Sequence, residues 1–196
     1  MAEAARRAWC DRQGLAPQEI NALVLRQLKV RKFQIATWGA DLNAYFLRRK
    51  PQLDRVIYSY LEAADPEIAQ ELYFRIVNGE QEFSDAAKQY AQGPEALTGG
   101  LVGPLELGQL HPALAALLRA STPGQLHLPV ALDGKTIVVR LEQWFPARFD
   151  QATGDRLYQE LLQAWLEQQR AALPVTSHFS PQPLDGPACS PNGCQG

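Results

Sequence analysis

A run of turn-forming residues between Leu72 and Glu142 limits what this chain can fold into more than any other feature. Asn78-Gly79, Gly99-Gly100 with Gly103, Gly108-Gln109-Leu110, Pro123-Gly124-Gln125 and Asp133-Gly134 break the segment into short pieces. Backbone with positive φ, or backbone that approaches another chain segment closely, is cheap only without a β-carbon. The pieces between the turns must therefore be short helices and strands packed at fixed angles.

The periodicity within each piece sets its type. Arg55 to Leu61 (RVIYSYL) is β-branched and aromatic and predicts a strand. Asp65-Pro66 reads as an N-cap with proline at the first helical position, opening a helix over 66–77 that ends at Asn78-Gly79. A second helix is expected from Phe83 to Ala91 with Ser84 as its cap, and a third from His111 to Ala120. The glycine-rich stretch from Gly93 to Gly108 separates them. Leu126 to Val130 and Thr136 to Leu141 read as strands about the Asp133-Gly134 turn.

The flanks are helical. Residues 2–13 predict a short helix ending at Gly14. Ile20, Leu23, Val24, Leu28, Val30, Ile35 and Trp38 recur at helical spacing. Asp41 is a candidate cap for a short helix that Pro51 should stop. After Pro146, a helix from Asp150 to about Leu173 carries the stripe Leu157, Leu161, Leu162, Trp165 and Leu166. Such a stripe gains stability only when buried, and the N-terminal helices are its natural partner. From Pro174 onward Pro, Ser and Gly dominate, and disorder is expected. The resulting organisation is an N-terminal helical segment (1–54), a β-containing unit (55–146), a C-terminal helix (147–173) and a tail (174–196).

Composition narrows the function classes. With 196 residues and 46% hydrophobic content, a sizeable core is possible. A net charge of −2 argues against nucleic-acid binding. The basic clusters Arg26, Lys29, Arg31, Lys32 and Arg48, Arg49, Lys50 read as solvated helix faces. No apolar run reaches membrane-span length and no apolar h-region follows Arg6 and Arg7, so a cytoplasmic location is expected, although a chain cut after an export signal would read the same. Cys189 and Cys194 (CSPNGC) are compatible with a disulfide, two thiols or half of a metal site, and reduced or tail-local thiols are the expectation. Cys10 has no recognisable His partner and is read as a packing residue. Phosphate-loop, G-x-S-x-G and His-rich metal signatures are all missing from the sequence.

The turn-and-helix succession over about residues 55–145 resembles the parvulin family of peptidyl-prolyl isomerases. The flanking helices, with the aromatic pair Tyr45-Phe46, resemble those of SurA-type and PrsA-type foldases, in which such helices build a client-holding domain. The resemblance implies an α+β fold: an antiparallel sheet with surrounding helices, inserted between N- and C-terminal helices that form a helical subdomain. It implies an isomerase or foldase without cofactor, whose partners are proline-containing segments of polypeptide clients. A catalytically inactive chaperone or adaptor is the alternative.

Carried over by position, the resemblance assigns the proline pocket to Val102, Leu110 and Leu114, where the family often has Leu, Met and Phe, with Gln109 retained beside it. A Leu on a helix equally fits a plain core. The family's polar residues fall on other types here. Tyr58 or Tyr60 stands in place of a His on the first strand, Gly93 in place of a Cys or Asp, Leu101 in place of an acid, and Ile137 in place of the His on the last strand. His111 is expected at the pocket rim, either bonding a client carbonyl or simply solvated at a helix start, and His127 at the surface.

Overall fold

The computed structural model describes residue 12 and residues 17–63, 65–91 and 93–173. The predicted helix over 2–13 apart from residue 12, Cys10 and the tail with Cys189 and Cys194 lie outside them. At the centre is a four-stranded antiparallel sheet of order β2-β1-β4-β3: β1 (Arg55–Ala63), β2 (Leu101–Glu106), β3 (Val130–Leu132) and β4 (Lys135–Phe145). The helices are α1 (Pro17–Trp38), α2 (Leu42–Leu53), α3 (Pro66–Val77), α4 (Phe83–Tyr90), α5 (Pro112–Arg119) and α6 (Gln151–Ala172). This is the α+β arrangement anticipated from the sequence.

Alternation along β1 and β4 gives the sheet two apolar faces. Val56, Tyr58, Ile137, Val139 and Leu141 face one way and pack on Leu107 and on Leu114, Ala115 and Leu118 of α5. Leu61, Ala63 and Val138 face the other way and pack on Ala69 and Leu72 of α3 and on Phe83, Ala86 and Ala87 of α4. Each fully buried Leu or Phe here contributes roughly 1.5–3 kcal/mol of transfer free energy. Asp65 caps α3 by accepting from the Glu67 N–H at 2.8 Å, and the Asp133-Gly134 turn has positive φ at both residues (50° and 79°), the hairpin geometry that the dipeptide predicts.

The sequence expectations fail in places where tertiary contacts override local signals. The glycine-rich stretch contains an unforeseen edge strand, β2, whose Gly-Pro composition hides it. Gly103 there has φ of 117°, and a Cβ would lie 2.5 Å from the Val56 carbonyl oxygen, so only glycine lets β2 approach β1. The strand expected at Leu126–Val130 reduces to one bridge, Leu126 to Arg140, with the true strand starting at Val130. Pro129 has no N–H to donate to a ladder. Pro51 does not stop α2, which continues to Leu53 because Leu53 is buried in a helical core. Neither Asp41 nor Ser84 provides a side-chain cap.

The flanking helices pack together. Leu42, Phe46 and Leu53 of α2 meet Leu157 and Tyr158 of α6. The buried Gln34 of α1 donates to the Tyr158 carbonyl at 3.3 Å. Two of the basic residues read as solvated are in fact pins: Arg31 pairs with Asp155 at 2.6 Å and Arg49 with Glu160 at 3.1 Å. The apolar row of α1 is not sealed, however. Leu23, Val24, Leu28 and Ile35 are all about half exposed, as is Leu166 of α6. No helix among the described residues is long and apolar enough to cross a membrane.

Candidate functional site

The sheet face beneath α5 opens to solvent at one end. There β1 presents Tyr58 and Tyr60, two residues apart and therefore on the same face, with rings edge-on at 6.4 Å. Tyr58 sits opposite Val102 of β2. With Glu95, Thr98 and Leu101 these side chains line a cavity of about 450 Å³. The Tyr60 hydroxyl donates to Glu62 at 3.4 Å. Burial, and then the neighbouring Glu62 and Glu95 carboxylates, push the Tyr60 phenol up to about 12. Burial and Glu95 raise Tyr58 as well. Both phenols are therefore protonated donors at neutral pH.

The wall opposite is a tight loop. A 3₁₀ turn, Pro94–Thr98, leads into Gly99-Gly100. The Gly100 N–H donates to the Glu95 carbonyl at 2.8 Å, and the Tyr60 N–H donates to the Gly100 carbonyl at 2.8 Å, so the loop is bonded directly to β1. The Thr98 hydroxyl bridges the Glu95 and Leu101 carbonyls at 3.1 and 2.9 Å. Glu95 is only 9% exposed, and its carboxylate folds back over Gly93. A Cβ at position 93 would lie 2.1 Å from Glu95 Oε2, so the carboxylate occupies the space that a side chain there would need.

The expected site residues are divided by the structure. Tyr58, Tyr60 and Val102 come together at the cavity. Val102, Leu110 and Leu114 all join the apolar cluster of the α5 face, with Leu114 buried at 6% exposure and the other two half-buried. Leu110 lines a different groove, beside Gln52 and Ala116. Gln109 is exposed in a short turn. His111 is not among the residues lining the tyrosine cavity. Its Nδ1 accepts from the Ala113 N–H at 3.2 Å, capping α5, and its Nε2 lies 3.6 Å from Asp133. Ile137 is sealed in the core at 1% exposure, whereas Leu101 is exposed at the cavity mouth.

His127 is half-buried rather than at the surface, and its Nε2 meets the Ser121 hydroxyl. Ser121 already donates to the Leu117 carbonyl at 2.7 Å, so its oxygen accepts from His127. That polarity is the reverse of the one that would activate a serine nucleophile. No group of three or more His, Cys, Asp or Glu among the described residues could hold a metal ion.

Sequence reasoning missed Glu95 and Thr98 as cavity walls. A signal for Glu95 did exist, since it is the sole acidic residue between Asp85 and Glu106.

Known proteins resemble this chain in family and fold. Residues 61–143 match the family described as Rotamase: PPIC-type PPIase domain. The chaperone SurA of Pseudomonas fluorescens (strain Pf0-1) is 36% identical over 122 residues, which are 56% of this chain and 28% of that protein. The chain thus spans little more than a quarter of that relative's length. The peptidylprolyl isomerase PrsA of Bacillus anthracis superposes with a TM-score of 0.51 at 17% identity, covering 86% of this chain and 74% of PrsA. PrsA of Bacillus cereus gives 0.50 at 16% identity, covering 89% and 70%. These two likenesses concern the fold. The central domain is a parvulin-type PPIase domain. Helices on both sides of it complete a fold similar to that of PrsA.

Proposed function

We propose that this chain binds proline-containing, extended segments of client polypeptides and accelerates cis–trans isomerisation of the X-Pro bond. That rotation has a barrier of about 18–20 kcal/mol, set by amide resonance, and breaks no bond. A catalyst must hold the proline ring, withdraw water from the amide and favour the twisted form in which resonance is lost. The observation that carries the reading is the opening of the α5-face cluster at Val102 under two protonated phenols. The ring would rest on Val102, with Leu110 and Leu114 supporting the apolar cluster behind it. Tyr58 would donate to the twisted amide, and Tyr60 would do so on turning its single O–H away from Glu62. Gln109 and His111, which lie outside this cavity, would contact the client farther along its length.

A protease-coupled isomerisation assay tests this. The expected result is acceleration above the spontaneous rate, with kcat/KM lowered about tenfold, or about 1.4 kcal/mol, in Tyr60→Phe. Acceleration that Tyr60→Phe and Leu110→Ala both leave intact would reject the site.

A second reading, a chaperone or adaptor without isomerase chemistry, has its own support. Apolar Leu101 and Ile137 stand where the family places polar groups, and the half-exposed row of α1 offers apolar surface to unfolded segments. Client binding with no acceleration of any proline peptide would select that reading.

A further inference from the structure

We propose that Glu95 makes the tyrosine cavity a reader of positive charge, selecting client segments with a lysine or arginine directly beside the proline. This rests on the client-binding reading above and specifies its substrate class.

Glu95 is 91% buried, and among the described residues its Oε1 has no hydrogen-bond partner. A buried carboxylate oxygen without a donor is destabilising, and folded proteins seldom leave one so unless another molecule supplies the donor. The position is held firmly: the main chain is bonded on both sides of the loop, and Gly93 leaves the room that the carboxylate fills. No Lys, Arg or His among the described residues forms an ion pair with it. The nearby cations are already committed, Lys135 to Glu62 at 2.8 Å and Arg140 to Glu142 at 2.7 Å. With Glu62 balanced by Lys135, Glu95 is the one acidic residue lining the cavity and has no cation paired with it among the described residues.

The other walls suit a cation too. The ring of the half-buried Tyr60, beside the cavity, would attract an ammonium or guanidinium group. A cavity of about 450 Å³ accepts a long basic side chain while the proline ring rests on Val102. A cation is favoured over a neutral donor because a charge-assisted bond to a carboxylate that is itself buried is the stronger.

The test uses the full chain and fluorescent peptides of one length carrying Lys-Pro, Pro-Lys, Glu-Pro, norleucine-Pro or Lys-Ala, with affinity read by anisotropy. Either Lys-Pro or Pro-Lys is expected to bind about tenfold more tightly than Glu-Pro, and Glu95→Gln should reduce that ratio to below about threefold. Equal affinity for the basic, neutral and acidic peptides overturns the proposal, as does a preference that survives in Glu95→Gln. In the wild-type protein the Glu95 side-chain carboxyl carbon resonance should shift on adding the basic peptide. An unmoved signal overturns the proposal even if the variant fails to fold. If Lys-Ala binds as well as Lys-Pro, the proline reading fails while the charge reading stands. If all proline peptides bind equally and more tightly than Lys-Ala, the reverse holds. Failure of every peptide to bind overturns both.

Discussion

The sheet unit and the helical ends solve the same packing problem in different ways. Both faces of the sheet are covered, and Val56, Leu61, Leu118, Val138 and Leu141 are fully buried. Among the helical ends only a small cluster around Leu42, Phe46, Leu53, Leu157 and Tyr158 is closed, while α1 leaves a row of aliphatic side chains half exposed. Polar pins hold α1 to α6 instead: Gln34 to the Tyr158 carbonyl and Arg31 to Asp155. The difference shows that an apolar stripe with helical period states a need for burial without stating where the partner is. The sheet meets that need within 90 residues of chain. The long helices meet it only where they cross.

The largest expected effect separates the two regions directly. Leu118→Ala and Leu114→Ala under the sheet should each cost about 2–5 kcal/mol in urea denaturation, because buried methyl groups are lost and a cavity remains. Leu28→Ala on α1 should stay within about 0.5 kcal/mol. Equal losses at Leu118 and Leu28 would break the comparison. A Leu114→Ala protein that keeps wild-type stability but loses client binding would mark Leu114 as pocket rather than core.

Gly103→Ala should follow at about 2–3 kcal/mol, since the new Cβ meets the Val56 carbonyl at a φ that L-residues avoid. Gln34→Ala should cost about 1–2 kcal/mol by leaving the buried Tyr158 carbonyl less well satisfied. A null result there would mean that the Arg31–Asp155 pair and the Phe33–Trp165 ring contact hold α1 without it.

Two smaller effects depend on pH. Arg156 binds Glu106 through two guanidinium nitrogens and, with that bond as the main cause, holds the Glu106 carboxyl below its ordinary 4.5. A depressed carboxyl pKa stabilises the fold above the unfolded value, and the contribution is lost as pH falls through the folded one. The pair is partly exposed, so its share should be below about 1 kcal/mol, and Arg156→Met should flatten the urea midpoint between neutral pH and pH 3 by that amount. Tyr60 has the opposite sign. With its phenol raised to about 12, its contribution is complete below pH 10 and is lost as pH rises toward 12. An ultraviolet titration showing Tyr60 ionising near 10 would contradict the geometry of the cavity.

Much of the fold was legible because its signals are local. Asp65-Pro66, Asn78-Gly79 and Asp133-Gly134 each dictate a backbone conformation through their own side chains or the lack of one. Strand β2 was not legible, because what makes Leu101–Glu106 a strand is the neighbouring β1, which accepts a Gly-Pro segment that no propensity favours. The continuation of α2 through Pro51 was hidden for the same reason: the anchor is Leu53 in a core built by α6. At the site, Tyr58 and Tyr60 could be found by alternation along one strand. Glu95 stood out in the sequence only as the sole acidic residue between Asp85 and Glu106, because its importance comes from burial, and burial depends on how a loop folds back over Gly93.

The sequence by itself determined the order of turns, the types of the elements between them other than β2, and the apolar stripes of the flanking helices, since each of these follows from residues a few positions apart. Only the tertiary structure decided which stripes were covered, that Val102 and Leu110 open onto separate grooves, and that a carboxylate lies unpartnered beside two tyrosines. Those outcomes depend on distances between residues far apart in the chain, and exposure and desolvation, which set the chemistry of a cavity, exist only once those distances are set.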